Sequence, residues 1–455
     1  MRLFSRWMAR QGLNGIYLLL MLAASPRLMW SALFENKYRQ GWREKLWGQV
    51  PSLATEANAG PTVWLHAVSV GEVNLIAPLV KALQQDVPEL RLAISTTTQT
   101  GFNLAQRRYP DHCVFFAPLD FSWAVGRAMR RVQPDLLVLA ELELWPNWIR
   151  SAHERGVPVA VVNGRLGERS FRGYRRVLRW VRPTLERLSL VAAQDEIYAQ
   201  RFRELGTPEV AVVVTGSLKF DGADTDRRNE RTMTLVTAAG IQDDDIVFLA
   251  GSTQEPEEQL ALDAFLTVRE TFPQLRLILV PRHPERFDDV ARMLDRSGVA
   301  WQRRSSLGGL GTAAARVLLV DTIGELGAWW GRADIGFVGG SMGSRGGQNM
   351  IEPAAYGVAT SFGPNTWNFQ DIVRLLLDAD AARVVQDGTA LTQFVRQCLE
   401  NPTDAQQLGW RARKLVASQL GATDRTMIGL RRLLDRQARS AVDTAAAAQQ
   451  SKPAV

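Results

Sequence analysis

The chain has 455 residues, too many for one ordinary core, and its 46% hydrophobic and 22% charged content excludes disordered and fibrous classes. Cys113 and Cys398 have no CxxC or CxH spacing, which excludes a disulfide framework and a structural zinc site and suits a reducing compartment. Of the net charge of +7, residues 1–50 hold +6 through eight basic and two acidic side chains, so no basic groove for a polynucleotide, and no nucleic-acid partner, is predicted.

That charge lies beside an apolar stretch, Ile16–Ala24, which continues after Pro26 and Arg27 into Leu28–Phe34. The uninterrupted part is far short of the ~20 residues a spanning helix needs, and Arg27 sits near the middle of any longer window. Cations after the run, among them Lys37, Arg39, Arg43 and Lys45, oppose translocation of a signal peptide. Residues 1–50 are therefore predicted to form a membrane-associating anchor that dips into the cytoplasmic leaflet and meets anionic lipid. A helix hairpin buried against the first domain is the alternative.

From Pro61 onward, short apolar runs alternate with helical stretches. Thr62–Val70, Leu92–Thr97, Leu136–Leu139, Val159–Val162, Leu190–Ala193 and Val212–Thr215 read as strands, with a helix over Val73–Leu83 after the first. A polar linker over 221–245 precedes a second series: Ile246–Ala250, Leu275–Val280, Val317–Val320, Ile335–Val338 and Val358–Ser361. Near-continuous apolar strands alternating with helices predict parallel sheets covered on both faces. The result is an α/β chain of two doubly wound domains, 51–220 and 246–437, facing an interdomain cleft, with a disordered tail over 438–455.

Several motifs sit at predicted strand ends. In His66-Ala-Val-Ser-Val-Gly-Glu72 the acid is either a general base or one half of a capping box, accepting the Ser69 backbone N–H. Glu141 and Glu143 of Glu141–Asn147 stand at i and i+2, either facing the cleft or solvated. Lys219 in Thr215–Asp221 is a point charge able to meet an anion, or a solvated surface lysine. Gly251–Glu255 and the glycine-rich Gly339–Asn349 each follow a strand and open a helix, as anion sites do. Neither fits the nicotinamide or the P-loop fingerprint. Arg282 follows a strand and can grip a phosphate bidentately. Asp243–Asp245 reads as a surface turn, the four histidines lack ligand spacing, and no metal or cofactor is predicted. Arg165–Arg187 carries eight arginines against two glutamates, either a solvated face or a contact for lipid phosphates.

Taken together, HAVSVGE, ELWPN, AAQDE, TGSLKFD, AGSTQEPEE, ILVPRHPERF, the DT-x-GEL stretch at Asp321–Leu326 and FVGGS…RGG-x-N…EP resemble the 3-deoxy-D-manno-octulosonic acid (Kdo) transferase family up to about residue 435. The resemblance implies a GT-B glycosyltransferase of two Rossmann-like domains, inverting and metal-independent, that takes CMP-Kdo as donor and a lipid A precursor as acceptor in lipopolysaccharide biosynthesis at the cytoplasmic side of the inner membrane. It also implies roles for residues: Glu72 as proton acceptor, Glu143 and Lys219 as transition-state stabilisers, and CMP contacts at Pro281, Arg282, Ile323, Gly324, Glu325, Asn349, Met350, Ile351 and Glu352. Gln348 departs from the family's usual His and cannot carry its charge. A nucleotide-sugar epimerase, a lipid-linked GlcNAc transferase and a non-catalytic membrane-tethered nucleotide-binding protein are the alternatives.

Overall fold

The computed structural model describes residues 12–19, 21–23, 40–53, 60–307 and 315–450, with side chains to 439. Most of the expected anchor, including Arg2, Arg6, Arg10, Arg27, Lys37 and Arg39, lies outside the described residues, as does 451–455 of the expected tail. The chain divides into two compact units, Met1–Gly222 with Leu420–Val455, and Ala223–Gln419.

In the first unit seven parallel strands take the order β3-β2-β1-β4-β5-β6-β7. They are β1 (Thr62–His66), β2 (Arg91–Thr96), β3 (Cys113–Phe116), β4 (Leu136–Ala140), β5 (Val159–Gly164), β6 (Leu190–Ala193) and β7 (Val212–Val214). Every residue of β1 and β4 is buried, because helices cover both faces of the sheet. One face packs Trp64, Leu137, Leu139, Trp148 and Val161; the other packs Val63, Leu65, Ile94 and Val138. The first strand stops at His66, four residues short of the expectation. The expected helix over 73–83 is two helices, Val70–Leu75 and Ala77–Asp86, divided at Ile76. Pro78 at the start of the second has no N–H to donate and crowds the preceding turn.

The second unit repeats the plan in the order β10-β11-β9-β8-β12-β13-β14. Its strands are β8 (Ile246–Thr253), β9 (Leu275–Pro281), β10 (Trp301–Arg303), β11 (Val317–Leu319), β12 (Ile335–Val338), β13 (Ala359–Phe362) and β14 (Arg383–Val384). Among the described residues no helix is long and apolar enough to cross a membrane.

The domain boundaries differ from the expected ones. Residues 223–245 are part of the second unit and not a linker: they contain the helix Glu230–Ala238, capped by the Asn229 side chain on the Thr232 N–H, and Arg227 binds Asp334 at 3.2 Å. At the other end, the helix Ala422–Gln450 returns to the first unit. Its buried Met427, Leu430, Leu433 and Leu434 form one stripe at helical spacing that joins the core of Leu79, Leu83 and Leu190. The Asp221 carboxylate accepts the N–H groups of Gly421 and Thr423, fixing the return. The expected end of the second domain at 437 thus falls inside this helix, which also runs through 438–450 of the expected tail.

Candidate active site

The carboxyl ends of β1, β4, β5 and β6 gather one set of charged side chains in the first unit. After His66 the backbone turns through Ala67–Ser69 and enters the short helix that carries Glu72. The Glu72 carboxylate accepts the Val68 N–H at 2.7 Å. This departs from the expected capping box in two ways: the donor is Val68 and not Ser69, and the Ser69 hydroxyl caps nothing. Burial pushes the Glu72 pKa up to about 8; the Val68 N–H opposes this, Glu143 and Glu141 reinforce it, and Lys219 opposes it.

The acidic neighbours are held by an unusual backbone. β4 and β5 each run into a residue in the left-handed region, Glu141 (φ 54°) and Asn163 (φ 54°), rare for side chains other than glycine and concentrated at functional sites. The Asn163 amide donates to Glu141 at 3.4 Å, while its side-chain oxygen accepts the Leu218 N–H at 3.0 Å. Lys219, the next residue, reaches Glu141 at 3.6 Å. Asn163 therefore ties the β4 loop to the 215–219 turn, and Gln194 supports it by donating to its carbonyl at 3.1 Å.

Glu143 accepts the Trp145 indole N–H at 2.6 Å, and burial, reinforced by Glu141, holds its pKa above the usual carboxylate range. The loop is anchored from behind. Asp120 accepts the N–H groups of Asn147 (3.1 Å) and Trp148 (3.0 Å) at the start of the helix Pro146–His153, and Trp148 packs on Trp64 at 4.7 Å. Buried His66, its pKa pushed down to about 4 by desolvation, stays neutral beside Ser95.

In the second unit, three segments meet at the carboxyl ends of β9, β11 and β12, where open α/β sheets bind ligands. Arg282, just past β9, is exposed, and its guanidinium has no ion pair or hydrogen bond among the described residues. Its charge reaches the half-buried Glu352, whose pKa burial raises while Asn349 and Arg282 pull it back. Asn349 donates to Glu352 at 3.0 Å and accepts the Ile351 N–H at 3.1 Å, so it starts the helix Ile351–Tyr356 and orients the acid together. Glu325 is held by Arg304 at 3.0 and 3.1 Å and by Thr322 at 2.7 Å. Beside it Gly324 is in the left-handed region and Ile323 is 81% exposed. The side chains of Met350 and Ile351 are buried.

The two expected anion sites are occupied by the protein itself. Glu257, 1% exposed, accepts the N–H groups of Gly340 (2.7 Å), Ser341 (2.9 Å), Met342 (2.9 Å) and Gln254 (2.9 Å). Both loops thus spend their donors on one internal carboxylate. Gly339 is required there because a Cβ would stand 2.6 Å from the Ser252 carbonyl oxygen. Asp243 and Asp244 do form an exposed turn, but Asp245, which closes it through its N–H on the Gln242 carbonyl at 3.2 Å, is not at the surface: it is 6% exposed and pairs with Arg276 at 2.5 Å and with Arg316. Among the described residues no group of three or more His, Cys, Asp or Glu is placed to hold a metal ion.

A family model for 3-deoxy-D-manno-octulosonic-acid transferase (kdotransferase) matches residues 40–222. The 3-deoxy-D-manno-octulosonic acid transferase of Haemophilus influenzae is 34% identical over 376 residues, covering 82% of this chain and 87% of that one. The Bordetella pertussis enzyme of the same description is 34% identical over 433 residues, covering 92% and 98%. The chain belongs to the Kdo transferase family. This transferase shares its fold with the UDP-GlcNAc 2-epimerase of Neisseria meningitidis, with a TM-score of 0.55 at 13% identity over 82% of this chain and 100% of that one. Its two parallel seven-stranded sheets are those of a GT-B glycosyltransferase.

Of the site residues predicted from sequence, Glu72, Glu143 and Lys219 share one electrostatic neighbourhood in the transferase, and Arg282, Asn349 and Glu352 share another. Lys219 pairs with Glu141, not with Glu143. Sequence reasoning missed Asn163, whose only signal is an Asn followed by Gly at a strand end, and Glu257, which lies within the AGSTQEPEE block.

Proposed function

We propose that this Kdo transferase moves Kdo from CMP-Kdo to a sugar hydroxyl of a lipid A precursor in a single inverting displacement, with Glu72 as general base. One observation carries the reading: a half-buried carboxylate with a single hydrogen-bond donor, its pKa raised to about 8, beside two more acids and a lysine. A base works best with a pKa near the operating pH, and burial supplies that shift. Glu72 takes the proton from the acceptor oxygen as it attacks the anomeric carbon; the bond to the CMP phosphate breaks and the electron pair leaves with CMP. One displacement inverts that centre.

Glu143 and Lys219 are read as stabilising the transition state. Lys219 is pre-placed by its contact with Glu141. Arg282 is read as meeting the CMP phosphate, since it is exposed with no competing partner among the described residues. Pro281, Ile323, Gly324, Glu325, Asn349, Met350, Ile351 and Glu352 would complete the CMP contacts. With the leaving charge met by cationic side chains, no metal is needed. The acceptor is a lipid, so residues 1–50 would hold the enzyme on anionic lipid at the cytoplasmic side of the inner membrane, as lipopolysaccharide assembly requires.

The test is transfer of labelled Kdo from CMP-Kdo to lipid A precursor, with the Glu72→Gln variant alongside and EDTA added in parallel. The expected result is a rate lower by ~10²–10⁴-fold for the variant with CMP affinity retained. Near-normal turnover would reduce Glu72 to the local contact it makes with Val68, and loss of activity in EDTA would overturn the metal-free reading.

A further inference from the structure

Away from these clusters, the first unit has a cavity of about 440 Å³ between the helices Ser122–Val132 and Pro146–His153, with Trp47 and Trp123 at its edge. Four arginines line it: Arg127, Arg130, Arg150 and Arg155. Among the described residues the one carboxylate in its lining is Glu154, half exposed and 4.0 Å from Arg150. Arg127 and Arg130 are exposed and have no ion pair among the described residues. Arg155 is held in place by the Ser151 carbonyl at 2.8 Å and hydroxyl at 2.6 Å, and Arg131 extends the positive surface beside the cavity. Two exposed guanidinium groups without an ion pair among the described residues, beside Arg150 and Arg155, which the protein holds through Asn147 and Ser151, suit a multiply charged acceptor such as a phosphate, whose oxygens can take the forked donors in pairs.

What stands next to the cavity indicates where that phosphate comes from. The helical residues 12–19 and 21–23 dock on the same segment through their polar side: Asn14 exchanges hydrogen bonds with Ser122 (2.8 and 3.1 Å), and Tyr17 donates to Asp120 at 2.9 Å. The apolar side chains point the other way, with Ile16, Leu19 and Leu22 more than half exposed. A helix that turns its polar side to the protein and its leucines outward is inverted relative to a soluble helix, and it suits a hydrocarbon boundary. Trp47 (56% exposed) and Trp123 (40%) are of the kind that sits at headgroup level. We propose that the arginine cavity is a binding site for the phosphate-monoester headgroup of a membrane lipid, seating the first unit against the leaflet at one fixed orientation. The site stands on this surface alone and does not depend on the role given to Glu72.

The experiment uses the purified full chain and phosphatidylcholine vesicles doped with phosphatidic acid, or with phosphatidylglycerol at equal surface charge. Wild type should prefer the phosphatidic acid vesicles. Arg127→Gln with Arg130→Gln should abolish that preference and weaken binding to them on the order of tenfold. The charge-matched control, Arg432→Gln with Arg436→Gln on the returning helix, should keep the preference. CMP affinity and transfer to detergent-dispersed acceptor should be unchanged in both variants, which separates failure here from failure of the transferase mechanism. Equal losses in the two double variants would mean diffuse charge and no site. Equal binding of wild type to the two vesicle types, with inorganic phosphate bound by the full chain in the absence of vesicles and lost in the Arg127→Gln with Arg130→Gln variant, would make the occupant a soluble phosphate, and either outcome overturns the proposal.

Discussion

Glu72 and Glu257 occupy matching places in the two units. Each lies in the first turn of the helix that follows its unit's first strand, β1 or β8, and each of those strands is flanked by the second strand of its unit and by a returning one. Their surroundings are opposite. Glu257 is fully buried and satisfied by four backbone N–H groups; Glu72 has one among the described residues, and its other neighbours are two acids and a lysine. A carboxylate completely bonded by rigid backbone has no reason to exchange a proton with a ligand. On the mechanism proposed above, one left with a single donor among like charges is held ready to do so. On that reading the fold uses one position for structure in one unit and for reactivity in the other, and the number of backbone donors is what distinguishes the two.

Breaking the structural member should have the largest effect. Glu257→Ala leaves four buried N–H groups without an acceptor, at about 1–3 kcal/mol each, and should unfold or loosen the second unit and abolish CMP binding. Glu257→Gln keeps one oxygen but turns an NH2 toward donors, so it should fall between wild type and the alanine variant. Urea denaturation with calorimetric CMP titration reads both; unchanged stability would mean that the glycine-rich loop holds itself. Glu72→Gln should do the converse, cutting transfer by ~10²–10⁴-fold while the thermal midpoint holds or rises.

Much of this contrast could be read from the chain, though unevenly. The doubly wound sheets were legible because buried parallel strands are apolar throughout, as in Leu136–Ala140. The edge strands Trp301–Arg303 and Arg383–Val384 were not, since they are two or three residues long and only partly buried or exposed. Glu72, Glu143 and Lys219 were visible as charges at strand ends. The tie that Asn163 makes between Glu141 and the turn carrying Lys219 was invisible, because it depends on a left-handed backbone and on a hydrogen bond spanning 55 residues. Glycine-rich loops in sequence look like open anion cradles; that one was already filled by Glu257 is a tertiary fact. The return of the last helix to the first unit is hidden for a similar reason: an apolar stripe at Met427, Leu430 and Leu434 shows that a face is buried but not against which unit.

The pH dependence sharpens the comparison further. With Glu72 folded at about 8 and an unfolded value in the ordinary carboxylate range, the native state holds the extra proton between the two. Stability should therefore fall as pH rises through that window, and Glu72→Gln should remove that slope in thermal melts taken across it. Transfer should rise over the same range with a midpoint near 8, as the base ionises.

The smallest expected effects are shifts of that midpoint by the neighbours. Burial is the first cause of the raised value, so changing a single charge should move it by much less than burial does. The two signs are opposite, which makes the test selective. Glu143→Gln removes a negative charge that disfavours ionisation of Glu72, so the midpoint should fall. Lys219→Met removes the cation that favours it, so the midpoint should rise, alongside whatever transition-state stabilisation is lost from the plateau. Rate-pH profiles of transfer for the two variants, each normalised to its own plateau, separate the midpoint from the height. Shifts in the same direction, or none in either, would mean that Glu72 does not titrate in the observed limb and that another group controls it.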